Sequence, residues 1–445
     1  MELDLAHPRH LRDLPQRLGD ALRRNRSMIA YWQWALVVAY LFLLIVPAVA
    51  PGTDDSSPWV AGLGRFAQAL FWGLWWPSVI LSTMLVGQVW CGLLCPDGTL
   101  TEFVSKHGQG RKTPAWMRRP ALPIALFAAI TLFEYAFDAH QSPLGTLFAI
   151  GSTSALALAS GVLFGRGKRI WCRYACPVGS VFSLLARCAL LHIRVDRAAW
   201  DAAPRPLPHP VDCPVLLDIK RMTRSDKCNM CARCSGHRGA VALAWRPLGQ
   251  EIASLRDDEI QAWEAVSIVF VLIGLAYGAM HWKHSPWNAW WLAHLPLPGM
   301  AGLATILSVV GPALLIGAAV SSCLFAAAGG RPGRAIHLAY ALIPLGGLGL
   351  FLGAIEHALL MLHQAGLAVA STLPWLRGTV LLMAFVWSEG LGLRLLADFE
   401  VGAAQHRPDR DRDGSGHIVG GPRIWFTATA TCLALVYQFA PNPFH

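Results

Sequence analysis

"WCGLLCPDG" at residues 90–98 returns as "WCRYACPVG" at 171–179, so W-C-x3-C-P-x-G recurs at an offset of 81 residues. Each copy follows two long apolar stretches: 29–50 and 66–89 before the first, 121–138 and 144–165 before the second. This pattern reads as a two-helix unit duplicated in parallel orientation, with a motif at the same end of each second helix. A membrane span needs about 20 mostly apolar residues. Further candidates follow at 264–281, 299–327, 335–360, 376–393 and 424–440. Composition agrees, with 54% of the 445 residues hydrophobic, 14% charged and a mean hydropathy of +0.43, which excludes an ordinary soluble domain. The expected fold class is an all-α integral membrane protein with about nine transmembrane helices.

The net charge of +10 is distributed in a way that argues against nucleic acid as a partner. Basic residues cluster in alternate loops, the positive-inside pattern. They fall in the N-terminus (Arg9, Arg12, Arg17, Arg23, Arg24, Arg26), in 106–119, in 166–262, at Arg331 and Arg334, and from Arg394 to Arg423. The parity predicts a multi-pass protein of the bacterial inner membrane, N-terminus cytoplasmic and C-terminus periplasmic. Ala48-Val49-Ala50 has the form of a signal-peptidase site, but the apolar run before it is long enough to remain as a span. Leu11, Leu14, Leu18 and Leu22 recur at helical spacing among arginines. An interfacial helix is one reading, and a plain positive-inside flank is the one expected.

The motif spacing has a chemical consequence. Cysteines four apart share one helix face, and the Pro and Gly that follow are expected to end that helix. If the repeats pack about their pseudo-axis, Cys91, Cys95, Cys172 and Cys176 converge on one four-thiolate site suited to an iron–sulfur cluster or zinc. Disulfides are disfavoured in a reducing cytoplasm, while a thiol–disulfide relay stands as the alternative.

A second cysteine group lies in "KCNMCARCSGHRGA" at 227–240. Its Cys-x2-Cys-x2-Cys triplet opens a bacterial ferredoxin run, but Arg238 stands where the fourth cysteine would fall. In two-cluster ferredoxins the fourth cysteine of each run serves the other cluster. Cys213-Pro214, fifteen residues upstream, supplies that ligand here. Cys213, Cys228, Cys231 and Cys234 therefore form one complete 4Fe-4S site, half of a two-cluster module. Zinc is the weaker alternative, because zinc ribbons use separated cysteine pairs.

Together these motifs resemble the NapH/NosR family of polyferredoxin-like membrane proteins, and 213–234 resembles the ferredoxin segment of the related cytochrome oxidase accessory proteins. The resemblance covers about residues 29–250. It implies ligand roles for all eight cysteines, and electron transfer between the quinone pool or a cytoplasmic carrier and a periplasmic redox protein. Longer members accompany oxidase-dependent ferrous-iron uptake systems, which implies iron-uptake components as partners. The chain departs from the family in keeping one soluble cluster instead of two, which puts a multi-cluster relay in doubt.

The second half lacks a cysteine motif; Cys323 and Cys432 stand alone in apolar stretches and read as packing residues. "HWKHSPWNAWWLAHLP" at 281–296 is expected to be an outer loop with three histidines and four tryptophans. His140, His357 and His363 end spans on the same side. They read either as a periplasmic metal, haem or quinol site or as an interfacial aromatic belt. Glu356 beside His357 is the leading pair. Glu134 and Asp138, one turn apart, are candidates for proton transfer from quinol, and Glu389 is expected to pair with Arg394. The stretch 401–423 reads as a cytoplasmic linker, its "DRDRDGSG" lacking the final Glu of a calcium loop.

Four regions are expected: a basic N-terminus (1–28), the duplicated membrane unit (29–181), a small cytoplasmic ferredoxin-like insertion (182–262) and a C-terminal five-helix region (263–445). The expected function is iron–sulfur electron transfer. The rivals are a thiol–disulfide carrier or maturation factor for a periplasmic metalloenzyme, and a permease-associated protein with a structural or sensing cluster.

Overall fold

The structure, a computed structural model, describes residues 9–50, 58–203, 210–295, 300–405, 421–442 and 444. Among these, seven helices are long and apolar enough to cross a membrane: Arg26–Val49, Trp59–Val86, Pro143–Phe164, Ala262–His281, Ala301–Ala327, Ile343–Gln364 and Ala370–Val401. They mark a membrane protein, with two fewer such helices than the nine expected. Ala121–Ala136 is a shorter apolar helix, and the chain beyond it turns through Asp138 at φ 45°. Gly421–Gln438 has 18 residues, but Arg423 and the threonines at 427, 429 and 431 dilute its apolar character. The calcium-like stretch of the linker lies outside the described residues.

The chain forms two compact units, one of residues 1–67, 82–127 and 146–250, the other of 68–81, 128–145 and 251–445. In the first unit, strands β1 (Leu191–Val195) and β2 (Val241–Trp245) pair antiparallel, Leu191 opposite Trp245 and Val195 opposite Val241. Alternation along each strand buries Leu191, Ile193, Val241 and Leu243 with Ile219, Cys228 and Met230. The N-terminal segment is not a plain flank. Arg9–Arg24 is a helix packed on β2, with Pro15 and Gly19 buried and Leu14 and Leu18 exposed. Asp20 accepts the Ser235 hydroxyl at 2.7 Å, and Arg23 donates to the Ser235 carbonyl at 2.6 Å.

In the second unit, Ala262–His281 packs against Ala301–Ala327 and Ile343–Gln364. Small residues permit the close approach: a Cβ on Gly278 would come 2.2 Å from the Val309 carbonyl oxygen. The middle of this span, Ser267–Leu275, winds as a π-helix. The stretch 281–296 is not a loop throughout, because Ser285 caps a short helix at Pro286–His294 by accepting from Asn288 N.

The strongest buried polar contact in this unit is the pair of Glu356 and Arg377, both 5% exposed. Arg377 Nε and Nη2 reach the two carboxylate oxygens at 2.7 and 2.8 Å, and Nη1 donates to the Ala440 carbonyl at 2.7 Å. Removing one partner of such a pair leaves an uncompensated buried charge. Arg377→Met is expected to destabilise the protein by about 3–5 kcal/mol, read from thermal unfolding in detergent. The double variant Glu356→Gln/Arg377→Met should recover part of that loss.

Candidate metal centre

The two W-C-x3-C-P motifs fold alike, down to their hydrogen bonds. Cys91 sits in the one-turn helix Val89–Leu93 and Cys172 in Ile170–Tyr174. Leu94 N and Cys95 N both return to the Trp90 carbonyl, and Ala175 N and Cys176 N to that of Trp171, all at 2.9–3.0 Å. Cys95 and Cys176 then take extended backbone angles and cap new helices, Pro96–Ser105 and Pro177–Leu185. The expectation that Pro and Gly end a helix carrying both thiols is therefore corrected. Proline lacks an N–H and suits the first helical position, so each motif is a one-turn helix followed by a helix start.

This arrangement brings Cys91, Cys95, Cys172 and Cys176 into mutual electrostatic range. Burial, reinforced by the neighbouring sulfurs, pushes the Cys91 thiol up to about 12, and burial pushes Cys172 up to about 11. Buried thiols of this kind are poor nucleophiles, which disfavours the thiol-carrier alternative. A metal cluster would supply the positive charge that thiolates in such a place need.

Cys213, Cys228, Cys231 and Cys234 form the second group, again within range of one another. The loop that holds them is strained: Leu216, Met230 and Ala232 have φ of 58°, 51° and 54°. Each such residue costs about 1–3 kcal/mol and persists only where its surroundings impose it. Met230 and Ala232 alternate with residues of negative φ along the cysteine triplet, and left-handed residues in such loops can help turn N–H groups toward an iron–sulfur site. Met230 N points to Cys228 Sγ at 3.4 Å and Leu217 N to Cys213 Sγ at 3.5 Å. Arg238, in the place of the missing cysteine, lies over the Trp200 ring at 4.9 Å. Among the described residues no three His, Cys, Asp or Glu side chains close tightly enough for a single metal ion.

The two sets meet at Gly92, where a Cβ would come 2.0 Å from the Asn229 carbonyl oxygen and 2.8 Å from Cys231 N. Only glycine allows that approach. Arg169 spans the same junction. Its backbone N donates to the Pro214 carbonyl at 2.7 Å, its Nη1 to the Cys91 carbonyl at 2.7 Å and its Nε to Glu102 at 2.7 Å. Arg233 takes the other Glu102 oxygen at 2.5 Å. Burial opposes ionisation of Glu102, yet the two guanidiniums hold it below the usual carboxylate range. A cleft of about 390 Å³ opens beside Cys231, lined by Arg26, Gln33, Trp34, Phe103 and Lys106 among others.

Some of the residues proposed for the outer side come together: Glu356 lies 3.8 Å from His281 Nε2, and His140 meets His357. Glu356 turns to Arg377, while His357 faces His140 with ring centroids 5.0 Å apart. Burial, then Lys283, pushes His140 down to about 4, so its ring is neutral. Asp138 is exposed past the end of the helix that bears Glu134. His363 is exposed, its Nδ1 3.4 Å from the Leu367 carbonyl. Glu389 accepts from the Thr427 hydroxyl instead of pairing with Arg394.

Sequence reading missed Gly92, Glu102, Arg169 and Asp97. Asp97 is half-buried near Cys95, where Ser154 and Thr153 donate to it at 2.6 and 3.3 Å. One signal was present: the repeats differ at these places, Gly92 against Arg173, Gln88 against Arg169 and Asp97 against Val178.

Residues 68–114 and 147–197 match the 4Fe-4S binding domain family. These two stretches are similar to a 4Fe-4S binding domain. The matched residues include both W-C-x3-C-P motifs and stop short of Cys213. Among curated proteins, YccM of Escherichia coli (strain K12), provisionally named an electron transport protein, is 24% identical over 300 residues, 57% of this chain and 81% of YccM. The methylamine utilization ferredoxin-type protein MauN of Paracoccus denitrificans (strain Pd 1222) is 26% identical over 127 residues, 26% of this chain and 45% of MauN. These relatives are consistent with a membrane polyferredoxin-type family. No solved structure matches the chain.

Gly92→Ala should push the 229–231 backbone away from Cys91. Alkylation of Cys231 in metal-free protein, followed by mass spectrometry, is expected to run severalfold faster in the variant. An unchanged rate would deny that the contact holds the loop.

Proposed function

We propose that this protein is a one-electron carrier of the bacterial inner membrane. It holds one 4Fe-4S cluster at Cys91, Cys95, Cys172 and Cys176 and another at Cys213, Cys228, Cys231 and Cys234. The observation that carries the reading is the junction at Gly92, where the backbones of the two cysteine groups touch within one compact unit. A bound 4Fe-4S cluster accepts and releases single electrons at a potential tuned by hydrogen bonds, charge and solvent exposure. The protein's own part is to fix the thiolates, to present N–H groups to them and to keep water from the buried set.

The electrons pass between the quinone pool or a cytoplasmic carrier and a periplasmic redox protein, and ferrous-iron uptake is the proposed setting. The cleft beside Cys231 supports access for a quinone headgroup, with Trp34 and Phe103 offering ring faces and Arg26 and Lys106 polar contacts. The alternating basic loops support a cytoplasmic N-terminus. If Ala121–Ala136 and Gly421–Gln438 also cross, the C-terminus is periplasmic. The names of YccM and MauN, electron transport and ferredoxin-type, agree with this reading.

Iron and sulfide content with EPR on anaerobically purified protein tests it, beside Cys231→Ser and Cys95→Ser. Expected are about eight iron per chain, with about half lost in each variant. About four iron, lost in only one variant, would overturn the two-cluster reading and leave the other thiols for different chemistry.

A further inference from the structure

We infer that Arg169 is a counter-charge shared by both cysteine groups, so that this one side chain sets the reduction potential of both centres. The inference rests on the two-cluster reading above. Arg169 is 1% exposed. Its guanidinium acts electrostatically on Cys172 of the membrane motifs and on Cys231 of the ferredoxin-type loop. It also donates to the carbonyl of Cys91 at 2.7 Å, while its own backbone N–H holds Pro214, the neighbour of Cys213. Contacts to both groups thus come from one residue.

Charge counting gives the role its sign. Glu102 is shared between Arg169 and Arg233, so two guanidiniums face one carboxylate and a positive excess remains at the junction. Four thiolates around a cluster make each centre anionic, and reduction adds one more negative charge. A buried cation beside it favours the reduced state, the more so in a low-dielectric interior. The duplicated motif supplies an internal comparison. The residue equivalent to Arg169 is Gln88, which caps the other one-turn helix and donates to the Asp226 carbonyl at 2.5 Å. Both halves reach toward the ferredoxin-type segment from this position, and only the second half brings a charge.

Redox titration followed by EPR on the full-length protein tests this, with iron content measured on each sample. Arg169→Gln, which installs the side chain of the first repeat, should shift both midpoint potentials to more negative values. Arg169→Lys should restore part of both shifts. Glu102→Gln removes the anion that offsets Arg169, so both midpoints should move to more positive values. A purely structural role does not produce shifts of opposite sign. With iron retained, a shift at one centre only, or at neither, overturns the inference. If Arg169→Gln fails to hold iron, Glu102→Gln decides alone: a positive shift at both centres supports the shared role, and its absence overturns it. Wild-type protein holding iron in one cysteine group only would instead sink the two-cluster reading, and the shared counter-charge with it.

Discussion

Eight cysteine sulfurs in one compact unit pose a charge problem, and the unit is organised around it. Thiolates in a low-dielectric interior are expensive, and the Cys91, Cys172 and Cys234 thiols accordingly resist ionisation. The surroundings supply donors: Met230 and Leu217 N–H groups directed at cysteine sulfurs, a cationic bridge through Arg169, Glu102 and Arg233, and an Arg23 that also acts on Cys234. Hydrophobic packing alone would leave the sulfurs uncompensated. The polar framework and the cysteine sets therefore belong to one design, and neither makes physical sense without the other.

The second unit meets a similar constraint with other means. Three of its carboxylates are matched where they stand: Glu356 by Arg377, Glu264 by the Tyr340 hydroxyl at 2.7 Å, Glu389 by Thr427. Intramembrane carboxylates often mark transport or proton paths. Here the bidentate Arg377, on Leu373–Gln405, also ties down the Ala440 carbonyl, so the pair clasps Ile343–Gln364 to the segment just past Gly421–Gln438. Close backbone contact at Gly278 and the π-helical turn at Ser267–Leu275 complete a tightly interlocked bundle.

What could be read from the sequence was whatever repeats or has a period. Apolar runs announced most spans because length and hydropathy are local properties. The duplicated motif announced its own pseudo-symmetry, and Cys-x2-Cys-x2-Cys with an upstream Cys-Pro announced four cysteines that lie near one another. Partners chosen across the fold were not legible. Glu356 and Arg377 are 21 residues apart, and Arg169 and Glu102 are 67 apart. Nothing in either local window points to the other. Adjacent residues misled for the same reason: Glu356 and His357 look like a pair, yet successive helix positions face different directions. Pro96 and Pro177 were read as stops when they are starts, a distinction that depends on whether a helix follows.

The docking of the first helix on β2 carries a consequence for biosynthesis. Asp20 emerges from the ribosome early, while its partner Ser235 is made 215 residues later. The unit is also interrupted twice by segments of the other one before it closes at residue 250. Contacts of such long range form late in folding. During synthesis the helix Arg9–Arg24 lacks its partner β2 until residues 235–245 have been made. The first and last parts of the unit are thus fastened to each other, and the cysteine loop gains this support only once nearly the whole unit has been synthesised.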